Sequence, residues 1–135
     1  MSSMAARVQQ GAGFGAEELI DSEALAEIVD ECGAELMAEL RDSLAEEGGE
    51  RFDDLRQAVS DGDAEAAKRA LHAVRGAALN LGFRAFAIEV QRVEAAAAAG
   101  SAPSSLEAEA LSALFSASFD AVDVLLANGL GAEGA

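Results

Sequence analysis

Apolar residues along this chain recur at spacings of three and four, the period of an α-helix rather than the alternation of a strand. Leu25, Ile28 and Val29 form one stripe after Asp21, a good N-cap, and predict a short first helix. Met37, Leu40, Leu44, Phe52, Leu55 and Val59 form a second stripe that keeps its phase across Gly48-Gly49. One long helix is predicted there, with each glycine costing about 1 kcal/mol; two helices are the alternative. Ser60-Asp61-Gly62-Asp63 reads as a turn in which Asp63 caps a third helix, running from about Ala64 to Leu81 and stopping at Gly82. A fourth helix starts near Phe83, carries Phe86, Val90, Val93 and Ala97, and fades into the alanine run before Gly100. Pro103-Ser104-Ser105 opens the last, whose stripe is Leu111, Leu114, Ser118, Ala121 and Leu125 and whose end is Asn128-Gly129. Short connections between long helices imply antiparallel neighbours. The expected fold is all-α: an up-down antiparallel four-helix bundle with an additional short N-terminal helix. Residues 1–18 read as a flexible lead-in, 19–128 as the bundle and 129–135 as a flexible tail.

Composition agrees with helix and narrows the function. Thirty-three of the 135 residues are alanine, the best helix former, while tryptophan and tyrosine are absent and proline occurs once. Half the chain is hydrophobic, but much of that half is small, so few large side chains are expected between closely approaching helices. With 25 acidic and 9 basic residues the net charge is −16, which excludes a nucleic-acid-binding module and an anionic membrane surface. No stretch approaches the roughly 20 apolar residues of a spanning helix, and no basic-then-apolar leader is visible at the N-terminus. Cys32 is the only cysteine, which places the chain in a reducing cytoplasm, and one cysteine with one histidine leaves no metal site. The glycines of Gly11-Ala-Gly13-Phe-Gly15 follow no strand and do not fit a dinucleotide fingerprint. No Gly-x-Ser-x-Gly elbow suggests a hydrolase.

The one histidine, His72, then draws the argument. On a helical wheel at about 100° per residue, Ala67, Ala70, Leu71, Val74, Ala78 and Leu81 gather on the side opposite His72. Glu65, Lys68, Arg69, Arg75, Gly76, Leu79 and Asn80 share its face, so His72 is expected near the middle of the solvent side. From Ala66 to Ile88 there is no carboxylate, although five of the nine bases, Lys68, Arg69, Arg75, Arg84 and Arg92, lie between 68 and 92. A strongly acidic chain has kept one positive patch around its histidine, and such a patch suits a phosphoryl group. Gly76 sits one turn beyond the histidine in a chain that elsewhere uses alanine, and leaves room for a partner to reach the ring. Leu79 is a large apolar residue on the exposed face, hence a candidate docking contact. A solvated basic face and drift to glycine are the bland alternatives.

His72-Ala-Val-Arg75-Gly76-Ala-Ala-Leu79-Asn80-Leu81-Gly82 resembles the motif of the histidine-phosphotransfer family, His-x-Leu-Lys-Gly-Ser/Ala-Ser/Ala-x-x-Leu-Gly. Gly62-Asp63, Phe86 and Val93-Glu94 also resemble the family, so the likeness spans about residues 20–125. Arg75 stands for the usual lysine, Ala77-Ala78 for small polar residues, and Val90 where cysteine or a small residue is frequent; the first keeps the charge and changes the hydrogen-bond geometry. The resemblance implies a phosphorelay carrier in which His72 takes a phosphoryl group from a receiver-domain aspartate and passes it to another. Arg75, Lys68 and Arg84 would steady the phosphoryl oxygens, while Gly76, Leu79, Arg69 and Asn80 would meet the partner. The implied partners are response-regulator receivers and a sensor or hybrid histidine kinase, with the chain itself a monomer. No cofactor is expected, the magnesium belonging to the receiver. With no Gly-x-x-x-x-Gly-Lys loop and no His-Glu-x-x-Thr-Pro sequence, the chain is expected to be a phosphocarrier, not an autokinase. Two other classes compete: an acidic helical inhibitor or DNA mimic, and a scaffold of the same ancestry that no longer carries phosphate.

Overall fold

Asp21, Asp63 and Ser104 each open a helix in the computed structural model, which describes residues 16–129. Their side chains accept hydrogen bonds from the backbone N–H groups of Ala24, Ala66 and Glu107, donors that a first helical turn leaves unpaired. Glu107 reaches back to the N–H of Ser104 and completes a capping box. The elements are α1 (Ala16–Leu19), α2 (Ser22–Asp61), α3 (Ala64–Leu79), α4 (Arg84–Ala98) and α5 (Ser105–Ala127). Short turns join the long helices, α3 packs between α2 and α4, and α5 closes against both of those. Among the described residues the only β-type pairing is an isolated bridge between Ile20 and Phe83. The fold is an all-α bundle of four long helices.

The short front helix is not a separate element. Residues 22–32 run directly into the long helix through Gly33, whose backbone (φ 84°, ψ 157°) leaves the helical region for one residue. That region is essentially open only to glycine, and the residue marks a kink. A single helical turn, α1, precedes it, so regular structure starts before the expected boundary at residue 19; residues 1–15 and 130–135 of the expected lead-in and tail lie outside the described residues.

At Gly48-Gly49 the helix is continuous, and the two glycines differ. A Cβ at Gly48 would overlap the ring of Phe115, while a Cβ at Gly49 would meet nothing within 4 Å. Phe115 cannot easily yield: it packs against Phe52, Phe86 and Phe119 with ring centroids 5.3, 5.0 and 4.9 Å away, and Phe83 completes the cluster. The core's few large side chains are thus concentrated in one place, with Phe115 and Phe119 lying beside the stripe expected for the last helix. Helix propensity alone favours alanine at either glycine by up to about 1 kcal/mol, whereas overpacking a core costs about 1–3 kcal/mol. Gly49→Ala should therefore raise the melting temperature and Gly48→Ala lower it, a difference of sign that thermal unfolding followed by circular dichroism checks directly.

Helix α5 is long and apolar enough to cross a membrane by length and composition, with mean hydropathy 1.6 over its best window. That departs from the expectation of no such stretch. In this fold it buries Leu111, Leu114, Phe115, Phe119 and Val122 in the bundle core and carries Glu107, Glu109, Asp120 and Asp123 along its length. Two bidentate pairs fasten it to α2: Arg41 donates to Asp123 (2.9 and 2.8 Å) and Arg56 to Glu109 (2.7 and 3.2 Å). The hydrogen bonds from Arg56 hold the Glu109 carboxyl below the usual carboxylate range. A depressed carboxyl contributes stability that is present at neutral pH and is lost as acidification protonates it.

Candidate functional site

The sequence of α3 puts small or branched apolar residues on one side and the site on the other. Ala67, Ala70, Leu71, Val74 and Ala78 are buried against the neighbouring helices. This turns His72 outward, with 69% of its side chain exposed. Helix α4 returns antiparallel from the turn at Gly82 and lays Glu94, from its last turns, beside the histidine. Nδ1 of His72 lies 2.9 Å from Oε2 of Glu94. A carboxylate oxygen can only accept, so Nδ1 carries the proton and donates, and the free lone pair is on Nε2, away from the protein. The other carboxylate oxygen, Oε1, accepts from Nε of Arg75 at 3.0 Å. One carboxylate, only 15% exposed, thus bridges the imidazole and the guanidinium.

Glu94 corrects the picture of an unopposed positive patch. The carboxylate-free window is a property of the linear chain; folding brings a carboxylate to the centre of the face, and Lys68 leans towards Glu65 at 3.8 Å. Arg69 is exposed and, among the described residues, has no hydrogen-bond or ion-pair partner; it faces the groove between α2 and α3 with Arg51. The structure does not bring Arg84 to the ring. Its Nη2 donates to the carbonyl of Ile20 at 3.1 Å, beyond the α3–α4 turn, and α3 alone rises about 10 Å between His72 and Leu79. Gly76 is exposed on the histidine's face, and a Cβ there would meet nothing within 4 Å, so no packing inside the chain asks for glycine. Leu79 is 53% exposed, Asn80 is exposed as the C-cap of α3, and Ile88 on α4, which the sequence reading did not single out, is 52% exposed beside Leu79 in one groove.

Glu94 was quoted only as part of a resemblance, yet a signal for it exists. His72 and Glu94 stand at nearly equal distances along the chain on either side of Gly82, and two antiparallel helices joined by a tight turn pair such positions. The arrangement presents an exposed imidazole with a fixed tautomer, a charge-balancing carboxylate behind it, and open space around Nε2. These are the properties of a nucleophile whose reaction partner arrives from outside. Among the described residues no group of three His, Cys, Asp or Glu could hold a metal ion.

Comparison with known proteins agrees with this geometry. The family model described as Hpt domain matches residues 39–126, more than half of the chain, including all of α3 and α4. No curated protein and no solved structure shows significant similarity. Hpt domains are phosphocarrier modules of two-component signalling that interact with receiver domains and kinases. By fold, by motif and by the family model, the chain belongs to the Hpt domain family.

Proposed function

We propose that this chain is a cytoplasmic phosphorelay intermediate in which Nε2 of His72 accepts a phosphoryl group from the aspartyl phosphate of one receiver domain and delivers it to the aspartate of another. The observation that carries the reading is the exposed His72 whose Nδ1–H is held by Glu94. In the forward step the Nε2 lone pair forms a bond to phosphorus as the bond from phosphorus to the aspartyl oxygen breaks, and the carboxylate leaves with the electron pair. Nδ1 keeps its proton, so the imidazole ring becomes positively charged, and that charge develops against the Glu94 carboxylate. No general base is required. Arg75 balances the charge of Glu94, and its two terminal nitrogens, which have no hydrogen-bond partner among the described residues, face the same side as the ring. Lys68 and Arg69 supply further positive charge on the approach side, and magnesium comes with the receiver. Arg84 takes a structural part in this reading, tying the start of the chain's helical region to the α3–α4 turn.

The direct test is incubation of the protein with a receiver domain charged by acetyl phosphate. Acid-labile, base-stable phosphate should appear on the chain and leave again when unphosphorylated receiver is added. Absence of such label, or label that survives acid, counts against the carrier reading. Gly76→Gln separates a docking role from a structural one. Glutamine is the better helix former and the space is open, so the variant should melt higher, while transfer should slow at least about tenfold because a side chain now stands between the ring and the partner. Wild-type transfer by that variant would move the docking surface elsewhere.

A further inference from the structure

The groove beside the histidine is built partly by residues that lie before the family-matched region. That region starts at residue 39, but Asp21 and Ala24 at the start of α2 line the same groove as Arg75, Leu79, Ile88 and Gln91. The contact is a fixed one. The N–H of Asp21 donates to the carbonyl of Gly82 at 2.7 Å, Ile20 pairs with Phe83, and Nη2 of Arg84 donates to the carbonyl of Ile20. Gly82 (φ 72°) is required at this crossing: a Cβ there would stand 3.0 Å from the Asp21 carbonyl oxygen. The N-terminal segment is therefore a wall of the groove, locked in place at the turn that ends α3.

We propose that this wall is a specificity determinant for the receiver domain: Asp21 and Ala24 take part in docking and set which receiver the chain accepts. The proposal rests on the carrier reading of His72 and goes beyond it. Its occupant follows from size and charge. A protein–protein interface covers about 800 Å² on each partner, roughly a disc of 16 Å radius. Leu79 lies about 10 Å along α3 from His72, so a receiver centred on the imidazole covers Leu79 and Ile88 and reaches the N-terminal wall at its edge. The floor of the groove is apolar, with Arg75 at the end near His72 and Asp21 at the far end. A receiver whose acidic phosphorylation site meets Arg75, and which presents an apolar ridge flanked by a basic side chain, matches that order of charges. Receivers lacking the basic side chain leave Asp21 opposite an uncompensated surface, which is how a rim charge discriminates between partners.

Two variants test this on the full chain. Asp21→Asn removes the charge and keeps an N-cap, and Ala24→Gln narrows the groove. Transfer to each is measured from a panel of receiver domains charged with acetyl phosphate. Direct labelling by phosphoramidate is measured in parallel; there Nε2–P forms as the P–N bond of the donor breaks and ammonia leaves, with no protein docking. Labelling by phosphoramidate should match wild type, which also reports an intact His72 site, while the ratio of rates between the best and the poorest receiver shifts at least tenfold. Ratios within twofold of wild type, in a chain that receivers do label, overturn this inference alone. A wild-type chain that no receiver labels overturns the carrier reading and this inference with it.

Discussion

Replacing His72 with Gln should abolish receiver-dependent labelling and leave the fold intact. The chain has no other histidine, so no second nucleophile of this type exists to take over. The side chain is 69% exposed and its one described hydrogen bond is to Glu94, so the core loses nothing. Glutamine is also a good helix former at that position. Surface substitutions of this kind usually change stability by no more than about 0.5 kcal/mol, and the melting temperature should stay within a few degrees of wild type. Rates should fall to the level of a blank without protein. Acid-labile label on His72→Gln would place the phosphoryl group on another residue and end the proposal.

The second large effect is expected at Glu94. Glu94→Ala deletes the acceptor of Nδ1–H, frees the ring to rotate and to adopt the other tautomer, and removes the negative charge against which the imidazolium forms. A hydrogen bond to a charged group is worth about 1.5–3 kcal/mol, and each 1.4 kcal/mol is tenfold in rate, so transfer should slow by roughly ten- to a hundredfold. Glu94→Gln divides the loss. The amide oxygen can still accept from Nδ1–H, so the tautomer is kept and only the charge is lost, and its rate should fall between those of wild type and Glu94→Ala. Arg75→Ala should cost about tenfold, because it leaves the largely buried Glu94 carboxylate without its balancing cation as well as removing positive charge near the phosphoryl oxygens. Single-turnover transfer from a charged receiver, followed by quench and gel, gives all three rates. Equal rates for Glu94→Ala and wild type would show that the contact is not used in the reaction.

Much of this architecture is legible along the chain because it rests on local chemistry. Asp21, Asp63 and Ser104 are helix starts by side-chain geometry alone, and the stripes of α3 separate its buried residues from His72 without reference to any other helix. What was illegible depends on distant pairs. Gly33 looks like any helical glycine until its backbone is seen to leave the helix. Gly48 and Gly49 are identical in sequence terms, and only the position of the Phe115 ring tells them apart. Arg84 belongs to a basic run in the sequence, yet its partner is the carbonyl of Ile20, 64 residues away along the chain. The site suffered most from the same cause. A window empty of carboxylates in one helix says nothing about the helix packed beside it, and Glu94 enters from there.

The geometry around His72 makes one statement sharper than phosphorylation itself, because Glu94 occupies Nδ1 and leaves only Nε2 to react. The measurement that tests it is heteronuclear NMR of the protein carrying 15N-labelled histidine, recorded after charging with a phosphorylated receiver. The account predicts a phosphorus–nitrogen coupling at Nε2 of His72, with Nδ1 still protonated and bonded to Glu94. A phosphoryl group on Nδ1, or a fully charged sample whose histidine resonances are unchanged, would contradict it.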